Sequence, residues 1–313
     1  MKRRSILLIS LVFVAAAAPS LGATPAASRD STAAVSGETT VVPLRTVEFG
    51  GHRYVADVDF GLRRRVPLMI HGNARMFLAI THAVGESLTG GPVAKVEEYG
   101  YSRKGKGALT VAAMRLGGRA YSNLRDVPVF DFTEEGDTLI LGMLGVPFLA
   151  SAGAVVDFSR DALILGATPA ERPAKKLLDA GYTAAKFTIG ADNRVTLRAY
   201  FPALGRAIAI TPSTVSSALT LHQPLFAGKV AMRKEDSPDR SPNRTSPDLY
   251  VCDRVNLEIE GVKLHSPASF EDFAEYGAVR PSEIESFGML GYDWMKEHQA
   301  VIDYASRYLY FKP

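Results

Sequence analysis

The segment GMLGVPFLASAGAVVDFSRDALIL, residues 142–165, returns as GMLGYDWMKEHQAVIDYASRYLYF, residues 288–311, in register over 24 positions. In each copy an Asp (Asp157, Asp303) stands twelve residues after the second glycine, behind two apolar residues and ahead of an aromatic one. A tetrapeptide shared by chance is cheap, but one followed in register by A-V-[V/I]-D-[F/Y] and a closing apolar run is not. The chain therefore reads as a duplicated domain, and a functional site between the copies is the first expectation. Phe60 matches Phe201 at an offset of 141, Gly118 matches Gly261 at 143, and the GMLG motifs differ by 146. A slowly rising offset is what one duplication with small loop insertions produces.

Short apolar segments separated by turn residues point to strands. Arg53 to Phe60 sets Tyr54, Ala56, Val58 and Phe60 on one side and breaks at Gly61. Residues 66–70, 109–116, 127–132 and 155–158 continue the series, and 185–189, 196–201 and 207–210 mirror the opening strands. Helical length is found at Ala79 to Leu88 and Ala174 to Ala180. The fold class read from this pattern is all-β. Expected boundaries are a flexible Ala/Ser/Thr/Pro leader at 23–40, a first lobe at 41–167, a linker at 168–182 and a second lobe at 183–313. Pro169 and Pro173 discourage one continuous helix through the linker, and the charged, Pro-rich stretch 233–247 reads as a solvated loop.

Residues 1–22 combine Lys2, Arg3 and Arg4 with an apolar run from Ile6 to Ala18 and small residues at Ser20, Gly22 and Ala23. That pattern is a secretory signal peptide, so the expected location is the bacterial periplasm or beyond, with no membrane span after cleavage. Loss of the leader takes Lys+Arg from 36 to 33, equal to the 33 Asp+Glu. A chain without net formal charge gives no general reason to expect a nucleic-acid or an anionic-membrane partner. The single Cys252 forms no internal disulfide, which leaves stability to the core.

Leu139-Ile140-Leu141-Gly142-Met143, and Leu290-Gly291-Tyr292-Asp293-Trp294-Met295 with the following Val301-Ile302-Asp303-Tyr304, resemble the late segment of the retropepsin-like aspartic protease domain. The resemblance spans about residues 45–166 and 184–312 and implies two lobes in a pseudo-twofold, pepsin-like arrangement. In that family each lobe supplies one Asp of a D-T-G motif. The pair shares a proton, because two like charges about 3 Å apart do not both ionise, and together they activate a water.

Here those positions differ. The feeding strand Val66-Pro67-Leu68-Met69-Ile70 leads into His71-Gly72-Asn73, and Ala207-Ile208-Ala209-Ile210 leads into Thr211-Pro212-Ser213. His71 and Thr211 thus stand where the two catalytic Asp residues are expected. Neither an imidazole nor a hydroxyl reproduces a shared-proton carboxylate pair. The expected function is a catalytically inert relative that binds an extended peptide or protein segment in the cleft between the lobes. His71, Gly72, Asn73, Thr211, Pro212 and Ser213 would form the floor of that cleft. The alternatives are an active aspartic-type endopeptidase with a non-standard site, using Asp59 of Asp59-Phe60-Gly61 or His71, and an envelope scaffold. Asp157 and Asp303 read as strand-end turn residues.

Gly100 to Gly107 has the spacing of a phosphate-binding loop but lacks the Ser/Thr and the following helix. In a retropepsin-like lobe this segment falls at the flap, so Lys104 and Lys106 join the expected binding residues. The six His show no metal-ligand spacing, and no G-x-S-x-G elbow accompanies Ser213 or Ser216. No metal and no cofactor is expected.

Overall fold

A computed structural model describes residues 38–48, 52–94, 107–129, 139–214, 219–235, 249–273 and 287–313. The expected signal peptide at 1–22, nearly all of the expected leader at 23–40, Lys104 and Lys106 of the expected flap, Ser216, and most of the stretch 233–247 read as a loop lie outside the described residues. Everything described belongs to one unit, residues 31–313.

The first half runs β1 (Thr40–Pro43), β2 (Arg45–Glu48), β3 (His52–Val58), β4 (Val66–Ile70), β5 (Leu78–Ile80), α1 (His82–Thr89), β6 (Ala108–Leu116), β7 (Arg119–Pro128), β8 (Gly142–Leu144), α2 (Val146–Ser151), β9 (Val155–Asp157) and β10 (Ala162–Leu165). The linker carries α3 (Ala174–Asp179). The second half runs β11 (Thr183–Lys186), β12 (Thr188–Ile189), β13 (Val195–Phe201), β14 (Arg206–Pro212), β15 (Leu219–His222), α4 (Gln223–Phe226), β16 (Arg233–Glu235), β17 (Leu249–Ile259), β18 (Val262–Glu271), β19 (Phe287–Leu290), α5 (Tyr292–Glu297), β20 (Val301–Asp303) and β21 (Tyr308–Phe311). The chain is all-β. Among the described residues no helix is long and apolar enough to cross a membrane.

Alternation sets the faces. In β18, Leu264, Ser266, Ala268 and Phe270 are buried while Lys263, His265 and Pro267 are exposed or half-buried, the period of two that a one-sided sheet requires. The helix read from Ala79 onward begins later, at His82. Leu78 to Ile80 pair instead with Leu144 to Gly142 of β8, so tertiary pairing overrides local helical preference there.

The pairing pattern of the first half recurs in the second. The β3–β4 hairpin pairs Ala56 with Leu68, and β13–β14 pairs Leu197 with Ile210. The β6–β7 hairpin closes Leu116 on Arg119, as β17–β18 closes Ile259 on Val262. A single bridge joins Asp59 to Arg115 in one half and Tyr200 to Glu258 in the other.

A six-stranded sheet, ordered β1-β10-β9-β20-β21-β11, joins the halves. At its centre Asp157 faces Val301, Val156 faces Ile302, and Val155 faces Asp303. Exchanging each residue for its counterpart in the 24-residue repeat reproduces the same three pairs. The contact is therefore isologous, with a local twofold axis through the Val156–Ile302 pair. The outer strands obey the same relation: Thr40 pairs with Leu165 as Thr183 pairs with Phe311.

Close packing explains why the GMLG motif recurs. A Cβ on Gly142 would lie 2.4 Å from Leu68 Cδ2 and 2.6 Å from the Ala79 carbonyl, because β8 is squeezed between β4 and β5. On Gly145 it would lie 2.0 Å from the Met76 carbonyl, and on Gly288 it would lie 2.9 Å from Leu221 Cδ2. Gly142 and Gly288 thus mark strands hemmed in by their neighbours, and Gly145 a tight turn into the following helix.

Candidate functional site

The ends of β4 and β14 approach one another where the halves meet. β4 runs parallel to β8, pairing Ile70 with Leu144, and the His71 N–H donates to the Leu144 carbonyl at 2.9 Å. β14 runs parallel to β19, pairing Pro212 with Leu290, and the Ser213 N–H donates to the Leu290 carbonyl at 2.7 Å. By this register the counterpart of His71 is Ser213, two residues beyond Thr211. That corrects the position read from sequence. The apolar run stops at Ile210, yet β14 continues through Pro212. The Thr211 hydroxyl donates to the Val195 carbonyl at 2.8 Å, on the side where Pro212 has no N–H to give. Thr211 is fully buried within its own half.

The two apex turns touch. The Gly72 N–H donates to Thr214 Oγ1 at 2.9 Å, and Thr214 Oγ1 donates to the Ile70 carbonyl, so one hydroxyl of the second half satisfies two backbone groups of the first. The Asn73 side-chain amide lies 3.8 Å from Met289 Sδ of β19. The approach at Gly72 is close: a Cβ there would meet Tyr304 OH at 2.9 Å and the Pro212 carbonyl at 3.0 Å. Tyr304 follows β20, and its buried hydroxyl has no hydrogen-bond partner among the described residues. Burial pushes that phenol well above its ordinary pKa.

His71 is buried, and its Nδ1 accepts the Asn73 N–H at 3.3 Å, which puts the ring proton on Nε2. Desolvation, reinforced by the nearby Arg53 guanidinium, lowers its pKa to about 3, so the imidazole is neutral at ordinary pH. Residues 71–74 and 211–214 contain no Asp or Glu. The apex therefore holds one imidazole N–H, the hydroxyls of Ser213 and Tyr304, main-chain groups, and the Thr214 hydroxyl already engaged by Gly72 and Ile70. It can orient polar or main-chain groups, but it lacks the paired carboxylates that would activate a water.

Other sequence candidates lie apart from the apex. Asp59 closes the hairpin end, its carboxylate accepting the Gly61 N–H at 2.7 Å. Asp157 accepts the N–H groups of Ser159 and Arg160, and Asp303 those of Ala305 and Ser306, the strand-end turn role read from sequence. Asp293 pairs with His52 across the halves at 3.0 Å. Among the described residues no group of three or more His, Cys, Asp or Glu side chains is placed to hold a metal ion. Sequence reasoning missed Thr214, Tyr304 and Arg53. The clue to Thr214 was the GMLG ladder, which fixes which residue follows the parallel pair; Tyr304 and Arg53 carried no local signal.

The chain is similar in structure to basic 7S globulin from soybean, with 14% sequence identity and a TM-score of 0.45 over 88% of this chain and 95% of that one. It is likewise similar to conglutin gamma, a basic 7S globulin from lupine seeds, with 13% identity and a TM-score of 0.47 over 88% and 95% of the two chains. No family model and no curated protein matches it.

Proposed function

We propose that this chain is an exported, aspartic-protease-like protein of two duplicated lobes, residues 41–167 and 183–313 joined by a linker at 168–182, that has no peptidase activity. In this reading it binds an extended peptide or protein segment in the cleft between the lobes, in the periplasm or outside the cell. The observation that carries it is that His71 and Ser213 follow the same parallel pair in the two halves and so occupy equivalent apex positions. A neutral, buried imidazole and a hydroxyl replace the two acids that the resembling family needs. Gly72, Asn73, Pro212 and Ser213, with the flap residues Lys104 and Lys106, are the proposed contacts. Extended ligands suit such a floor because main-chain groups supply affinity while side-chain pockets supply selectivity.

The test is incubation with denatured protein and with a library of extended peptides at acidic and neutral pH, with cleavage read by mass spectrometry and binding by calorimetry. Binding without cleavage supports the proposal. Cleavage abolished by a transition-state-mimicking aspartic protease inhibitor would replace it with an active endopeptidase. Neither binding nor cleavage would favour an envelope scaffold.

A further inference from the structure

The turn between β3 and β4 reads Phe60-Gly61-Leu62-Arg63-Arg64-Arg65, and all three arginines are exposed. Among the described residues none of the three makes a hydrogen bond or an ion pair. A fourth exposed cation lies against the base of the turn. Asp59 donates its N–H to the Arg115 carbonyl at 2.9 Å and accepts the Arg115 N–H at 2.7 Å, which fixes β6 beside the hairpin. The acid at that base, Asp59, is tied into the turn through Gly61. Half-buried Leu62 packs on the core and holds the turn in place.

An apolar group stands in the same patch. The parallel register that pairs Met69 with Met143 carries on through the Leu141 N–H to the Pro67 carbonyl at 2.8 Å. Leu139 stands two residues before Leu141, as Arg65 stands two before Pro67, and Leu139 is 47% exposed. Guanidinium groups at successive turn positions repel one another, and with no ion pair to the three turn arginines among the described residues the turn gains from an external anion. An exposed leucine among them favours an occupant with an apolar layer beneath its charges. Base recognition would call for aromatic faces to stack on, and the turn's one aromatic, Phe60, is buried. We propose that the Arg63–Arg65 turn, with Arg115 and Leu139, is a peripheral docking point for an anionic lipid surface.

The full chain is tested by flotation with phosphatidylglycerol/phosphatidylcholine vesicles and with phosphatidylcholine alone. The difference between the two removes the charge-independent contribution of the apolar run Ile6 to Ala18, and the arginine variants separate the turn from the basic residues Lys2, Arg3 and Arg4. Anionic vesicles should bind the chain, and less so at high salt. R63Q/R64Q/R65Q should lower the partition coefficient about fivefold per arginine, on the order of a hundredfold in all. R63K/R64K/R65K should retain binding, since a surface reads charge rather than guanidinium geometry. Leu139→Ser should cost on the order of tenfold. Thermal unfolding of each variant separates lost binding from lost folding. The proposal is overturned by an absence of anionic-vesicle binding, by indifference to the Gln triple or to Leu139→Ser, or by loss in the Lys triple. Displacement of the vesicles by free inorganic phosphate or duplex DNA, with the same arginine dependence, would overturn the lipid assignment.

Discussion

The Gly72 amide of the first half and the Thr214 hydroxyl of the second are hydrogen-bonded at 2.9 Å, and the same hydroxyl serves the Ile70 carbonyl. This buried crossing ties the two apex turns together. Thr214→Val keeps the shape and strands both backbone groups, so it should cost about 1–3 kcal/mol in denaturant unfolding. Thr214→Ser should recover most of that loss. Equal stability of the Val variant and the native chain would show that the crossing contributes nothing.

Gly72 and Tyr304 are coupled by space. Gly72→Ala should destabilise by about 1–3 kcal/mol, because the new methyl meets the Tyr304 hydroxyl and the Pro212 carbonyl. Tyr304→Phe removes a hydroxyl without a partner among the described residues, and should change stability by less than about 1 kcal/mol. Combined, the two substitutions should cost less than their sum. Strict additivity in the double-mutant cycle would contradict the contact.

His71 makes folding sensitive to acid. Its folded-state pKa of about 3 lies below the unfolded value near 6.5, so between those pH values the unfolded chain binds the extra proton. The His71 contribution to stability is thus intact above about pH 6.5 and falls as the pH drops toward 3, by at most about 1.4 kcal/mol per unit. Urea unfolding at a series of pH values should show this slope in the native chain and a shallower one in His71→Gln. Identical slopes would mean that His71 is not held neutral by its surroundings.

The two repeat-related aspartates differ in what supports them. Asp303 is fully buried and takes Arg172 Nη1 at 2.6 Å, with Arg172 only 18% exposed. Asp157 takes Arg160 Nε at 2.6 Å, but that arginine is 62% exposed and solvent shares its charge. Arg172→Met should therefore cost about 3–5 kcal/mol by leaving a buried carboxylate without its cation. Arg160→Met should cost about 1 kcal/mol or less. Similar losses at the two positions would contradict the difference in burial.

Much of the fold was legible because the repeat and the strand pattern carry their own physics. The offsets of 141, 143 and 146 reappear as matched hairpins and as the isologous β9–β20 contact, and Gly142, Gly145 and Gly288 stand where a side chain would collide. The second apex position was read two residues early, because the apolar run stops at Ile210 while the strand runs on to Pro212. A neighbouring hydroxyl, Thr211 Oγ1, supplies the hydrogen bond that Pro212 does not, and nothing local announces that substitution. Ala79 and Ile80 looked helical for want of a long-range signal: only their pairing with β8 makes them part of a strand. Thr214, Tyr304 and Arg53 act at the apex through contacts between residues far apart in sequence, which no local spacing encodes.

The most direct test of the central claim is a joint measurement of peptide binding and peptide cleavage across pH 3 to 7, on one sample. The expected result is saturable binding of an extended peptide, weakened by Asn73→Ala, with no cleavage products at any pH. Cleavage that rises in acid and stops with an aspartic protease inhibitor would contradict it, as would cleavage lost in Ser213→Ala or His71→Gln.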